Sequence, residues 1–182
     1  MMAEGRDRFG GVLGNETALR LLGRALRTGE VSQAYLFHGP PGVGKRTVAI
    51  SFGAALVAGG DAWAEDRALR GLHPDLTEVV PEGAFTTIGQ VREVLRLAAS
   101  RPFEGSRRVF ILQADTLNVQ AANALLKTLE EPEGETVFVL LATSREGCYP
   151  RSSPAPRPCA STPSRLTLWR SSWKTGARRS RS

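Results

Sequence analysis

Histidine, methionine and cysteine are scarce in this chain of 182 residues, with two of each, and both cysteines fall late, at Cys148 and Cys159. A run of roughly 20 apolar residues, which a membrane-spanning helix requires, occurs nowhere in it, and the opening "MMAEGRDRFGG" lacks the apolar stretch of a secretory signal. The expectation is a cytoplasmic protein with no membrane partner. The interval "LVAGGDAWAEDRALRGLHPDL", from Leu56 to Leu76, contains no cysteine, which excludes a four-cysteine structural zinc site there. The last absence is of charge of one sign: from Cys148 to Ser182 there is no aspartate or glutamate.

With 41% hydrophobic and 23% charged residues, the composition is ordinary for one globular domain. The formal net charge of +6 would suggest a nucleic-acid partner, but the charge is unevenly placed. Met1 to Gly147 holds 16 Lys/Arg against all 18 Asp/Glu, a balance of −2, whereas Cys148 to Ser182 holds 8 Lys/Arg and no acid, a balance of +8. The second stretch also carries eight serines and five prolines. The chain therefore divides into a body, residues 1–147, and a basic Ser/Pro/Arg-rich tail, 148–182, too poor in periodic apolar residues to build a core and expected to be disordered.

The body alternates strands and helices. Asn15 is placed to cap a helix with an apolar face of Ala18, Leu21, Leu22, Ala25 and Leu26, closed by Gly29. "AYLFH" (Ala34 to His38) reads as a strand, "TVAISFGAALVA" as a buried helix and "LTEVV" (Leu76 to Val80) as a strand. Thr87 and Gln90 form a capping-box pattern ahead of Ile88, Val91, Leu95 and Ala98. "RVFIL", "VQAANALLKTLEE" and "TVFVLLAT" continue as strand, helix and strand. Repeated βα units with continuously apolar strands predict an α/β fold, a parallel sheet with helices on both faces.

Between the first strand and its helix stands "GPPGVGKRTVA". Gly39, Gly44 and Lys45 satisfy the spacing of a phosphate-binding P-loop, with Arg46 in the place of the usual Ser or Thr. Glycines let backbone N–H groups turn toward phosphate oxygens, the helix that follows presents its positive end, and a lysine adds a mobile charge. The strand before the loop and the apolar helix after it distinguish it from a chance Gly/Pro turn. Gly39, Pro40, Pro41, Gly42, Val43, Gly44, Lys45, Arg46 and Thr47 are the candidate nucleotide-binding residues.

Hydrolysis is a separate question, because in P-loop NTPases that hydroxyl and an acid after a later strand hold Mg²⁺. A guanidinium about 4 Å from a divalent ion would be opposed by roughly 8 kcal/mol at an effective dielectric near 20, so Arg46 must turn away. Thr47 comes one residue late, about 100° around the helix. After "RVFIL", Gln113 and Ala114 stand where the acids are wanted, and the first acid is Asp115. The expectation is binding of ATP without turnover, Mg²⁺ poorly held, no zinc, no catalytic residue and no metal ligand.

"VLGNETALRLLGRAL", "SQAYLFHGPPGVGKRTVA", "HPDLTEVVPEG", "RPFEGSRRVFIL" and "AANALLKTLEEPEGETVFVLLATS" resemble, in order and spacing, the N-terminal AAA+ domain of bacterial DNA polymerase III clamp-loader subunits. The resemblance covers Phe9 to Gly147, and "ANALLKTLEEP" is its most specific piece. It implies a P-loop AAA+ domain in a component of the polymerase holoenzyme, with other clamp-loader subunits, the sliding clamp and primed DNA as partners. The gamma/tau branch keeps Lys followed by Ser/Thr, an Asp-Glu pair and a zinc module. This chain looks more like the delta-prime branch, which contributes a rigid wall and an arginine acting in trans. The family's sensor position, facing the terminal phosphate, falls on Thr143; the plainer reading is a threonine leaving a strand. His38 and His73 read as packed loop histidines rather than ligands. An ATP-hydrolysing gamma/tau-type subunit and a basic nucleic-acid-binding protein are the alternatives.

The tail departs from that family, whose members continue with an apolar pair, Pro-Thr, an apolar pair and Ser-Arg. Loss of one nucleotide after the Gly147 codon accounts for the departure. Each restored codon then takes its last two bases from the first two of a codon shown here, which nearly fixes its hydropathy. Cys148 and Tyr149 become apolar, Arg151 allows Thr, Ser152 and Ser153 become apolar, and Ala155 permits Arg. The restored reading can be L-L-P-T-I-L-S-R-A-Q-A-V-R-L-H. On this account both cysteines are accidents of the frame, and the chain stops short of the trans-acting arginine, the lid and the collar, which counts against its assembly. The body is expected to fold poorly alone, its sheet edge uncovered.

Overall fold

The computed structural model describes residue 9, residues 15–130 and 134–143 and, for the backbone alone, residues 166–170. Helix α1 spans Glu16–Thr28, β1 Ala34–His38, α2 Lys45–Ala58, α3 Ala62–Leu69, β2 Leu76–Val79, α4 Ile88–Ala98, β3 Arg108–Gln113, α5 Val119–Glu130, β4 Thr136–Ala142 and β5 Leu166–Arg170. The expected βα alternation is present, and each predicted strand and helix of the body lies within a residue or two of its sequence position.

The strands run in the order β2-β3-β4-β1-β5, every neighbouring pair parallel. Because β3 and β4 are covered on both faces, their side chains are buried at almost every position, which is why they read as unbroken apolar runs. One face of the sheet carries Tyr35, Phe37, Val109, Ile111, Val137, Val139 and Leu141 against α1 and α2. The other carries Leu36, Phe110, Leu112, Phe138 and Leu140 against α4 and α5.

Helix ends follow local chemistry. The Asn15 carboxamide accepts the Ala18 N–H at 3.3 Å, and Gly29 closes α1 in the left-handed region with its N–H on Ala25 O. Thr87 and Gln90 form the reciprocal capping box of α4. One α1 position differs from the expected face: Leu21 is 49% exposed, while Leu19 is buried with Ala18, Leu22 and Ala25. Helix α2 is buried on several sides, and Gly53 lets it approach the sheet closely. A Cβ there would stand 2.7 Å from Leu76 Cδ1 and 3.2 Å from Val109 Cγ1.

Helix α3 was not anticipated. Asp61 caps it, accepting the Trp63 and Ala64 N–H groups, but Ala68 alone of its residues is buried, so it carries almost no apolar period to read.

The tail brings a second difference. Backbone 166–170 of the stretch expected not to pack forms β5, with Leu36 opposite Leu168 in register. The physical reason is the edge of β1, whose unpaired N–H and C=O groups form a template for any extended segment, and "LTLWR" is rich in strand formers. The rest of 148–182, and with it the disorder expected there, lies outside the described residues.

Candidate phosphate-binding site

The loop after β1 lies beside a topological switch point of the sheet. Beyond β1 the chain turns to the α2 side of the sheet, whereas beyond β3 it turns to the α5 side. Divergent connections open a crevice at the carboxyl ends of the strands between them, where ligands of open α/β sheets bind. Gly39, at the start of the loop, donates its N–H to Ala142 O at 3.1 Å, tying the loop to the end of β4.

Gly42 and Gly44 take φ of 78° and 87°, a left-handed backbone that β-branched or bulky residues resist. Gly44 is the cap of α2, with no side chain to bond the first turn. Among the described residues, no protein group accepts the backbone N–H of Gly42, Val43 or Gly44, so three donors are available at the positive end of a 14-residue helix.

Lys45 opens that helix. Its Nζ donates to Gly39 O at 2.6 Å and Pro40 O at 2.8 Å, folding the ammonium back over the loop. Burial lowers the Lys45 pKa, an effect opposed by the negative charge of Asp115. Asp115 lies in a short 3₁₀ turn, Ala114–Thr116, directly after β3. Its Oδ2 accepts the Thr143 N–H at 2.6 Å. The structure thus gathers Lys45, Asp115 and Thr143 at the ends of β1, β3 and β4. In the sequence Asp115 is only the first acid beyond the wanted positions; its contact with Thr143, 28 residues away, carries no local signal.

Arg46 points away from the loop, toward β2. Its Nε and Nη2 donate to Oε1 and Oε2 of Glu78 on β2, at 2.6 and 2.5 Å. This two-pronged bond raises the Arg46 pKa further. Thr47 is exposed, one step further around α2. Pro40 and Pro41 are exposed and Val43 is half-buried.

The two histidines differ. His73 is 4% exposed, and its Nδ1 accepts the Asp75 N–H at 3.2 Å, so it is built into the turn before β2. His38 ends β1, half-buried. Among the described residues no three His, Cys, Asp or Glu side chains are grouped to hold a metal ion, and no helix is long and apolar enough to cross a membrane.

Residues 14–150 match the family described as DNA polymerase III, delta subunit. The chain belongs to that family. It is 37% identical over 149 residues to the DNA polymerase III subunit delta-prime of Pseudomonas aeruginosa, covering 71% of this chain and 45% of that protein. With the delta-prime subunit of Bacillus subtilis it shares 32% over 131 residues, 68% of this chain and 40% of the other. The tau subunit of Bacillus subtilis is 32% identical over 145 residues, 75% of this chain and 26% of tau. The chain thus spans less than half the length of these relatives. A crystal structure of a DNA polymerase III gamma subunit-related protein from Thermotoga maritima superimposes with a TM-score of 0.50 at 24% identity, over 70% of this chain and 40% of that one. That likeness shows the fold, a parallel α/β sheet with helices on both faces.

Proposed function

We propose that the chain serves as a delta-prime-like subunit of the DNA polymerase III clamp loader, helping other subunits place the sliding clamp on primed DNA in the cytoplasm. In this role the loop from Gly39 to Thr47 holds the phosphates of ATP without hydrolysing it, and Thr143 is the sensor position beside it. Lys45 leaves its two carbonyl partners to meet phosphate, and the free N–H groups of Gly42, Val43 and Gly44 supply the cradle. Asp115 orients the strand end through the Thr143 N–H.

The observation that carries the reading is the Arg46–Glu78 bridge. A loop with an intact lysine and three free N–H donors keeps the means to bind phosphate, while the next position, where a hydrolytic site needs a hydroxyl, carries a guanidinium bonded to β2. Gln113 and Ala114 after the hydrophobic run of β3 supply no carboxylate. An ATP-hydrolysing gamma/tau-type subunit is the competing reading, favoured by the similarity to tau.

One pair of measurements separates them. With the full chain, ATP turnover should equal background, and titration calorimetry should show ATP binding that weakens at least tenfold in Lys45→Ala. A Mg²⁺-dependent rate abolished by Lys45→Ala would establish the tau-type reading instead. Equal ATP affinity of the two proteins would remove the loop from the function.

A further inference from the structure

The AAA+ fold implies Mg²⁺ beside the nucleotide phosphates, and the side chains present do not compose a place for it. Mg²⁺ binds through oxygen donors, usually one or two carboxylates together with waters and substrate phosphates. Following Lys45, the hydroxyl position is filled by a guanidinium. Glu78, the carboxylate that Arg46 meets, has both oxygens taken at 2.6 and 2.5 Å. Asp115 has one oxygen on the Thr143 N–H at 2.6 Å and its charge directed at Lys45. Strand β3 ends on an amide, Gln113, followed by the methyl group of Ala114.

Resting on the phosphate-binding reading above, we propose that this loop takes its polyphosphate as the free anion, without a divalent cation, and that the Arg46–Glu78 bridge sets this preference. The charge that a metal would neutralise is met by Lys45 and by the open N–H groups of Gly42, Val43 and Gly44. The Arg46 side chain is 62% exposed, so only its bond to Glu78 restrains it. The bridge also removes a carboxylate: with Glu78 neutralised by its partner, a bare polyphosphate meets no uncompensated acid from β2. Breaking the bridge from either side should change metal preference in opposite ways. Loss of Arg46 exposes Glu78 and admits a hydroxyl, whereas loss of the Glu78 charge frees Arg46 for phosphate.

The test is calorimetric titration of the full chain with ADP at matched ionic strength, once in EDTA and once in excess MgCl₂. For the unaltered chain the affinity in EDTA should equal or exceed that in MgCl₂. Arg46→Thr should reverse the order, binding at least tenfold more tightly with MgCl₂ than in EDTA, and Glu78→Gln should tighten binding in EDTA several-fold. Thermal melts of each variant establish that it is folded. An unaltered chain that binds ADP at least tenfold more tightly with MgCl₂ overturns the inference while leaving the phosphate site in place. Arg46→Thr behaving like the unaltered chain overturns the role given to the bridge. No ADP binding by any folded protein in either solution overturns the phosphate-binding reading itself.

Discussion

Asp75→Ala should be among the most damaging single substitutions in the body, and the structure gives its size. Asp75 is 0% exposed. Its carboxylate accepts the backbone N–H groups of Phe103 at 2.7 Å, Glu104 at 2.8 Å and Gly105 at 2.9 Å. It also accepts Nε and Nη2 of Arg108, each at 3.2 Å. Arg108, 7% exposed, spends its other donors on Leu97 O, Ser100 Oγ and Arg101 O. One carboxylate therefore fixes the turn before β2, the loop 101–107 and the start of β3. Removing one partner of such a pair strands a buried charge, at a loss of about 3 to 5 kcal/mol. The three N–H groups lose a charged acceptor too, but those near the surface regain water, so the losses do not sum.

A domain of this size is stable by about 5 to 15 kcal/mol. With a urea slope near 2 kcal/mol per molar, the unfolding midpoint of Asp75→Ala should fall by about 2 M. Asp75→Asn, which keeps an acceptor and the volume, should lose less. Combining Asp75→Ala with Arg108→Met should cost less than the two changes separately, with a coupling above about 1 kcal/mol. Burial would raise the Asp75 pKa, but the N–H groups of Gly105, Glu104 and Phe103 and then the Arg108 guanidinium bring it below the ordinary value. A carboxyl so depressed contributes fully above its unfolded pKa of about 3.9, and the contribution is lost as pH falls through the lower folded value. Asp75→Asn should remove that part of the acid dependence. A midpoint for Asp75→Ala within about 0.5 M of the unaltered chain would refute the reasoning.

Gly105→Ala should lower stability by about 1 to 3 kcal/mol in thermal or urea unfolding, because its Cβ would stand 2.6 Å from Val57 O, a backbone atom that cannot swing aside. Gly23→Ala should do the opposite. Inside α1, with only Arg27 Nη1 at 3.4 Å, alanine should add up to about 1 kcal/mol through helix propensity. Resequencing the gene around the Gly147 codon should find that one added base opens a frame with an apolar pair, Pro-Thr, an apolar pair and Ser-Arg; an immediate stop in that frame would end the out-of-frame account of the tail.

The parts of the fold that could be read from the sequence are those in which one residue's neighbours decide its state. Strands β3 and β4 announce themselves because both faces are covered, leaving no polar position to interrupt the run. Helix α4 does so because Thr87 and Gln90 cap it from three residues apart. Helix α3 escaped because its stability is carried by the Asp61 cap, with Arg67 stacked 4.5 Å over the Trp63 ring, and only Ala68 reaches the core. Strand β5 escaped for a different reason. Pairing along β1 is a backbone interaction, and composition, which measures what side chains can bury, is silent about it.

The same division runs through the site. Gly42, Gly44 and Lys45 are legible because backbone conformation and the start of a helix are local matters. That a guanidinium cannot ligate a cation is legible too, since it follows from charge alone. Where Arg46 goes is not, because Glu78 lies 32 residues further on and meets it only when β2 is laid beside β3 and α2 is packed across them. Asp115 and Thr143 meet by the same rule, through the order of the strands. Two features that sequence reading treats as separate losses, a missing hydroxyl and missing acids, thus become one arrangement in three dimensions. The residue that displaced the hydroxyl also occupies the acid on the neighbouring strand. Replacing Arg46 by a hydroxyl residue should therefore also release Glu78, whereas Gln113 and Ala114 at the end of β3 still supply no acid, so a hydrolytic site would require Arg46 and the end of β3 to change together.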